Sequence, residues 1–132
     1  MSGGLITTNG KKILLHRGYT ASPTITAPTK FKIGTATVAA TVGDTDLGSA
    51  VVISGTAYVK VFESGYPAFD YTAMTGTIRT RLTTLEANGN ALTEIGIFNT
   101  DGTALMESRD LFTAISKTTS DELIFEIVTT VL

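Results

Sequence analysis

The stretch "EIGIFNTDGTALMESRD", from Glu94 to Asp110, decides the fold. Ile95 and Ile97 project to one side of a strand, because successive side chains along a strand point to opposite faces. The apolar alternation stops at Asn99, and Asp101-Gly102 supplies residues that tolerate positive φ. Leu105 and Met106 then begin a return strand. The pattern is a β-hairpin with Asn99 to Thr103 as its turn and with no reactive group at the tip. Its two isoleucines belong to a core, so it reads as scaffold.

Outward from this hairpin the chain continues in the same idiom. In "TIRTRLTTL", Ile78, Leu82 and Leu85 carry most of the apolar character, and Arg79 and Arg81 share the opposite face with Thr77 and Thr83. Asn88-Gly89 in "EANGNA" is a hairpin turn signal. "ELIFEIVTTVL" sets Leu123, Phe125, Ile127 and Val131 against Glu122 and Glu126. "KFKIG" turns Phe31 and Ile33 inward and Lys30 and Lys32 outward. "TAYVKVFES" is apolar on both faces except at Lys60, which predicts a strand covered on both sides. Short strands with closely spaced turn signals predict a mainly β chain: one antiparallel β-sandwich or barrel-like domain over residues 1–132.

Toward the N-terminus the pattern changes. Residues 1–10, "MSGGLITTNG", read as a flexible arm. "TTNGKKILLHRGYT" fits either a strand over "KILLH" or a short helix. Thr8 or Asn9 as cap and Gly18 as stop favour the helix, with Ile13, Leu14 and Arg17 on one side. "TASPTITAPTK", with Pro23 and Pro28, reads as an extended connector. In "TVGDTDLGSAV", Asp44 would begin a single helical turn anchored by Leu47. "GYPAFDYTAMTG" is a loop carrying Tyr66, Phe69 and Tyr71.

Composition narrows the function. The 132 residues are 42% apolar and 17% charged, which suits one folded domain with a core of its own. A formal net charge of −2 gives no basic footprint for nucleic acid. No apolar run reaches the roughly 18 residues of a membrane span. The start lacks the basic and apolar regions of a signal peptide, so the expectation is a protein that works where it is made or travels inside a larger object. There are no cysteines and a single histidine, His16, which exclude disulfides, thiolate chemistry and a multi-histidine metal site within one chain.

The remaining candidates for chemistry each have a plainer reading. Asp44-Thr45-Asp46 resembles a metal-binding pair, but a hard cation needs more oxygen ligands, and a turn outweighs it. Asp121-Glu122 reads as a solvated pair flanking the last strand. His16 has no identifiable orienting partner. Arg79 and Arg81 would clamp an anion or, more simply, pair with acids on a neighbouring strand. The aromatic segment is the informative one. Tyr66, Phe69 and Tyr71 suit a protein interface or a carbohydrate platform, or else fold back as a cap. With them, Leu5 and Ile6 of the arm are the candidate interface residues. No catalytic, cofactor-binding or metal-ligating residue is assigned, and the expectation is a non-enzyme without a cofactor.

The order of these blocks resembles a set of small virion proteins of tailed bacteriophages. The segments that carry it are "GKKILLHRGYTASPTITAPTKFKIGTATVAATVGDTDL" and "GYPAFDYTAMTGTIRTRLTTLEANGNALTEIGIFNTDGTALMESRDLFTAISKTTSDELIFEI", together most of the chain. The resemblance implies a structural component of the tail, baseplate, fibre attachment or capsid surface, assembled in the host cytoplasm. Its partners would be other virion proteins and further copies of itself, with no nucleic acid and no membrane. A chain that ends at Leu132, just after its last strand, fits an adaptor or connector better than a complete fibre. Capsid decoration is the alternative, and a carbohydrate-binding module is a third.

Overall fold

A computed structural model describes residues 4–99 and 104–131. The elements are β1 (Leu5–Ile6), α1 (Thr8–Tyr19), β2 (Pro28–Gly34), β3 (Lys60–Val61), β4 (Ala68–Asp70), β5 (Thr75–Leu82), β6 (Ala91–Asn99), β7 (Met106–Ser116) and β8 (Leu123–Thr130). They form two antiparallel sheets, ordered β1-β7-β6-β2-β3 and β4-β5-β8. The sheets face each other as a sandwich and do not close into a barrel.

Strand β6 is the centre of the larger sheet. Ile95 pairs with Asp110 and Ile97 with Ser108 across the hairpin, and Phe31 and Ile33 of β2 flank the same two isoleucines. All four side chains are buried, and they meet Leu82, Phe125 and Ile127 from the smaller sheet. Burying each such side chain contributes about 1.5–3 kcal/mol relative to exposure, so this layer dominates stability. The turn at Asp101-Gly102 falls outside the described residues.

The far face of β6 is buried as well, by Leu47, Phe98 and Met106. Gly96 makes this possible: a Cβ there would stand 2.8 Å from Leu47 Cδ2 and 2.9 Å from a Phe98 ring carbon. The first part of a long connection, residues 35–49, lies over this face, while Ile53 further along packs into the main core. Asp44 does not start a helical turn. Its carboxylate instead closes a turn by accepting from Thr41 N–H at 2.9 Å and from the Thr41 hydroxyl at 2.7 Å.

Several expectations need correction. The segment "TAYVKVFES" holds only the two-residue β3, and Tyr58, Val59 and Val61 are exposed. It is a crossing: Phe62 N–H donates to Thr29 in the larger sheet, and the next N–H, of Glu63, donates to Arg79 in the smaller one. Asn88-Gly89 does not close a hairpin, because β5 and β6 lie in different sheets. Residues 83–90 form a loop between sheets, held by Ala87 N–H on Ile53 C=O and Gly89 N–H on Lys117 C=O. The buried Lys117 ammonium reinforces it, donating to Asn88 Oδ1 at 2.7 Å. Leu85, in that loop, is 84% exposed, and Val131 is 73% exposed. Within "GYPAFDYTAMTG", Ala68–Asp70 is a strand, because its backbone pairs with Thr75 to Thr77.

The described part of the N-terminal arm is built into the sheet. Leu5 pairs with Arg109 and Ile6 with Ser108. The helix begins one residue earlier than expected, with Thr7 as cap, its hydroxyl accepting from Gly10 N–H at 3.0 Å. The same hydroxyl donates to Met106 C=O at 2.5 Å, so a single threonine ties helix start to β7. At Gly10 a side chain would strike the Glu107 carbonyl, and glycine lets α1 lie directly on that strand. Ile13 is buried but Leu14 and Arg17 are exposed, so these three do not share a packed face.

Candidate functional site

An apolar groove of about 420 Å³ lies between α1 and the β4–β5 hairpin. That size falls within the range of small-ligand and side-chain pockets. One wall is Leu14 of α1 with Pro28 at the start of β2. The other is Pro67, Phe69, Tyr71 and Met74, and Ile78, Glu107 and Val131 complete the floor and ends.

Local chemistry positions the hairpin wall. Asp70 Oδ1 accepts from Thr72 N–H at 2.9 Å and from Ala73 N–H at 3.0 Å, an Asx-type turn that starts the reversal. Met74 completes it with φ +54°, a left-handed conformation that a methionine adopts only under constraint. Part of that constraint is visible: Met74 C=O accepts from Val131 N–H at 3.0 Å, which latches the turn to the end of β8. Gly76 lies beside the Phe69 ring, 3.4 Å from where a Cβ on it would stand. Phe69 and Tyr71 stack with centroids 6.1 Å apart and planes 11° from parallel, and they remain 60% and 76% exposed.

Of the three aromatics singled out in the sequence, two therefore meet and one does not. Tyr66 lies away from the groove with the Arg79 guanidinium 5.0 Å from its ring centroid. Leu5 and Ile6 belong to β1 and do not line the groove either. Leu14, Met74, Glu107 and Val131 do line it, and sequence reasoning missed them for this role. Leu14 alone had a signal, as an apolar residue beside the core position of an amphipathic turn. Glu107 is one of two acids in the lining, with Asp70, and burial pushes its carboxyl above the usual glutamate range. The groove offers apolar contact area, two acids and threonine hydroxyls, which is equipment for holding a partner's side chains.

The charged candidates resolve into ion pairs. Arg79 donates to Glu126 at 2.7 Å, and Arg81 reaches Glu122 and Glu63 at 2.8 Å each. Asp46 takes Lys32 at 2.8 Å, and Asp44 takes Arg109 at 2.9 Å, so neighbouring acids of the "DTD" turn serve two different cations. Asp44 is held below the usual aspartate range by its bonds from Thr41, and further by Arg109. Asp121 closes a turn on Thr118, and His16 Nε2 lies 3.4 Å from the Thr24 hydroxyl. Among the described residues, no three His, Cys, Asp or Glu side chains gather as a metal site, and no helix is long and apolar enough to cross a membrane.

One polar centre was not foreseen. Glu94, fully buried, accepts from Ser49 N–H at 2.8 Å, Gly48 N–H at 3.1 Å, Ala36 N–H at 3.2 Å and Arg109 Nε at 2.8 Å. Arg109 in turn donates to Val38 C=O at 3.0 Å. This pair pins the 35–49 connection over β6, a structural task. Comparison with protein-family models, curated proteins and solved structures finds no match to the chain.

Proposed function

We propose that this protein is a non-enzymatic structural subunit of a tailed-bacteriophage virion, an adaptor or connector in the tail, baseplate or fibre-attachment region. The single observation that carries an assembly role is the groove, whose stacked Phe69 and Tyr71 stand exposed over apolar walls. A rigid aromatic pair bordering a concavity is the composition of an interface anchor site. The virion setting rests on the ordered sequence blocks that resemble small phage virion proteins. Capsid decoration is the alternative placement within the same reading.

A Phe69→Ser/Tyr71→Ser double variant tests it. Both side chains are surface groups, so the variant keeps its thermal stability while its incorporation into virions, read on gradient-purified particles, falls sharply. Unchanged incorporation removes the groove from the assembly, and absence of the wild-type chain from particles overturns the reading as a whole.

One observation favours a second reading. Two near-parallel exposed rings also suit stacking against a sugar ring. Titration of a glycan panel against wild type and Tyr71→Ala decides it: no binding by the wild type ends the carbohydrate option.

A further inference from the structure

Almost every glutamate in this chain is answered by a cation. Five of the six, Glu63, Glu86, Glu94, Glu122 and Glu126, pair with a lysine or arginine. Glu107 is the exception. Among the described residues its carboxyl takes no hydrogen bond and no ion pair, although the residue is half-buried in the lining of the apolar groove. The strand fixes its place: Ile97 pairs with Ser108 and Phe98 with Met106, so Glu107 is the extra residue of a β-bulge. Bulges re-aim a side chain. The start of α1 holds the bulge, through Thr7 N–H on Glu107 C=O at 2.9 Å. A half-buried carboxylate without a partner is a cost that a cation brought from outside would remove.

The rest of the groove fits such an occupant. Its other acid is Asp70, and among the described residues no lysine, arginine or histidine lines it. Leu14, Phe69, Tyr71 and Met74 in the walls are all exposed, so they offer apolar and aromatic contact while leaving the groove open. A small-molecule pocket encloses most of its ligand. An open groove suits one side chain of a segment that continues beyond it.

We infer that the groove receives an arginine side chain from another protein, its guanidinium meeting the Glu107 carboxylate and its methylene stem lying along Leu14 and Phe69. Arginine fits better than lysine because a guanidinium is less strongly hydrated, bonds a carboxylate through two N–H groups and stacks on aromatic rings. The chain's own arginines are committed: Arg79, Arg81 and Arg109 to acids, and Arg17 to Ile25 C=O at 2.9 Å. A different protein is therefore the source. The inference rests on the groove as an assembly interface and names the side chain that enters it.

Titration of the isotope-labelled full chain at pH 7, followed by amide NMR shifts, tests this with two probes. One is acetyl-Leu-Arg-Leu-amide, and the other carries citrulline, the neutral isostere, in place of arginine. The arginine peptide shifts the amides of Leu14, Gly76 and Glu107 and binds about tenfold more tightly than the citrulline peptide. In Glu107→Gln, which keeps the side-chain shape, that preference falls below about twofold. Phe69→Ser weakens both peptides alike. Equal binding of the two peptides, a preference that survives Glu107→Gln, or no shift in the groove overturns the inference. Self-association of the chain that Glu107→Gln abolishes would also overturn it, by making a second copy the occupant. No binding by either peptide, together with loss of the Phe69→Ser/Tyr71→Ser variant from virions, would remove the arginine and leave the interface reading standing.

Discussion

Replacing Arg109 by methionine should cost far more than the loss of an ordinary surface ion pair. Arg109 is 4% exposed and its partner Glu94 is fully buried. Removing the cation leaves a carboxylate in the interior, a change worth about 3–5 kcal/mol. Glu94 would keep three backbone N–H donors, from Ala36, Gly48 and Ser49, so the lower end applies, about 3 kcal/mol. At about 4 °C per kcal/mol for a domain of this size, the melting temperature falls by about 12 °C. The assay is thermal unfolding by circular dichroism, with limited proteolysis alongside, because the bond from Arg109 to Val38 C=O is lost and the 35–49 connection should be cut first. The Glu94→Gln/Arg109→Met double variant should recover about 1 kcal/mol, since neutralising both partners removes the orphaned charge. A loss below about 1 kcal/mol in the single variant, or a double variant less stable than the single, would refute the view that this pair organises the connection.

Three further outcomes follow from the same structure. Ile97→Asp puts a carboxylate into the main core at a side chain 1% exposed, a cost of several kcal/mol against a total of about 5–15, so the chain should not fold. A cooperative melt at the wild-type temperature would contradict the core assignment. Glu107→Gln should stabilise at pH 7: a raised folded pKa means the native state holds its proton more tightly, so the ionised form opposes folding as pH rises. That gain should vanish below about pH 4, where the unfolded carboxyl is protonated too, as urea titrations at the two pH values would show. Asp44→Asn has the opposite sign. The depressed pKa of Asp44 marks stability that is present at neutral pH and lost as pH falls below about 4, so the variant should be weaker than wild type at pH 7 and match it in acid.

Where local pattern and tertiary demand agreed, the sequence was a good guide. Ile95, Ile97, Phe31 and Ile33 alternate because a single packed face requires it, and all four are buried. The pairing of Arg79 and Arg81 with acids across strands followed from the same alternation. Asn88-Gly89 misled because a permissive backbone position records only that the chain reverses, not which sheet it enters next; the bonds that decide this come from Lys117 and Ile53, far along the chain. Leu85 misled because, three residues beyond Leu82, it falls out of the period-two alternation, and the strand in any case ends at Leu82. The groove was half legible: Phe69 and Tyr71 were visible as a cluster, while Leu14, Glu107 and Val131 join them only through the packing of α1, β7 and the end of β8. The Glu94–Arg109 centre was hidden, because burial of charge leaves no mark in one sequence beyond an acid and an arginine in apolar strands.

The most direct test of the structural role is the number of copies of this chain in purified virions, measured by quantitative mass spectrometry against the major capsid protein. An adaptor or connector predicts a small, fixed number per particle. A number that scales with the capsid lattice would move the protein to decoration. Its absence from particles would contradict the account.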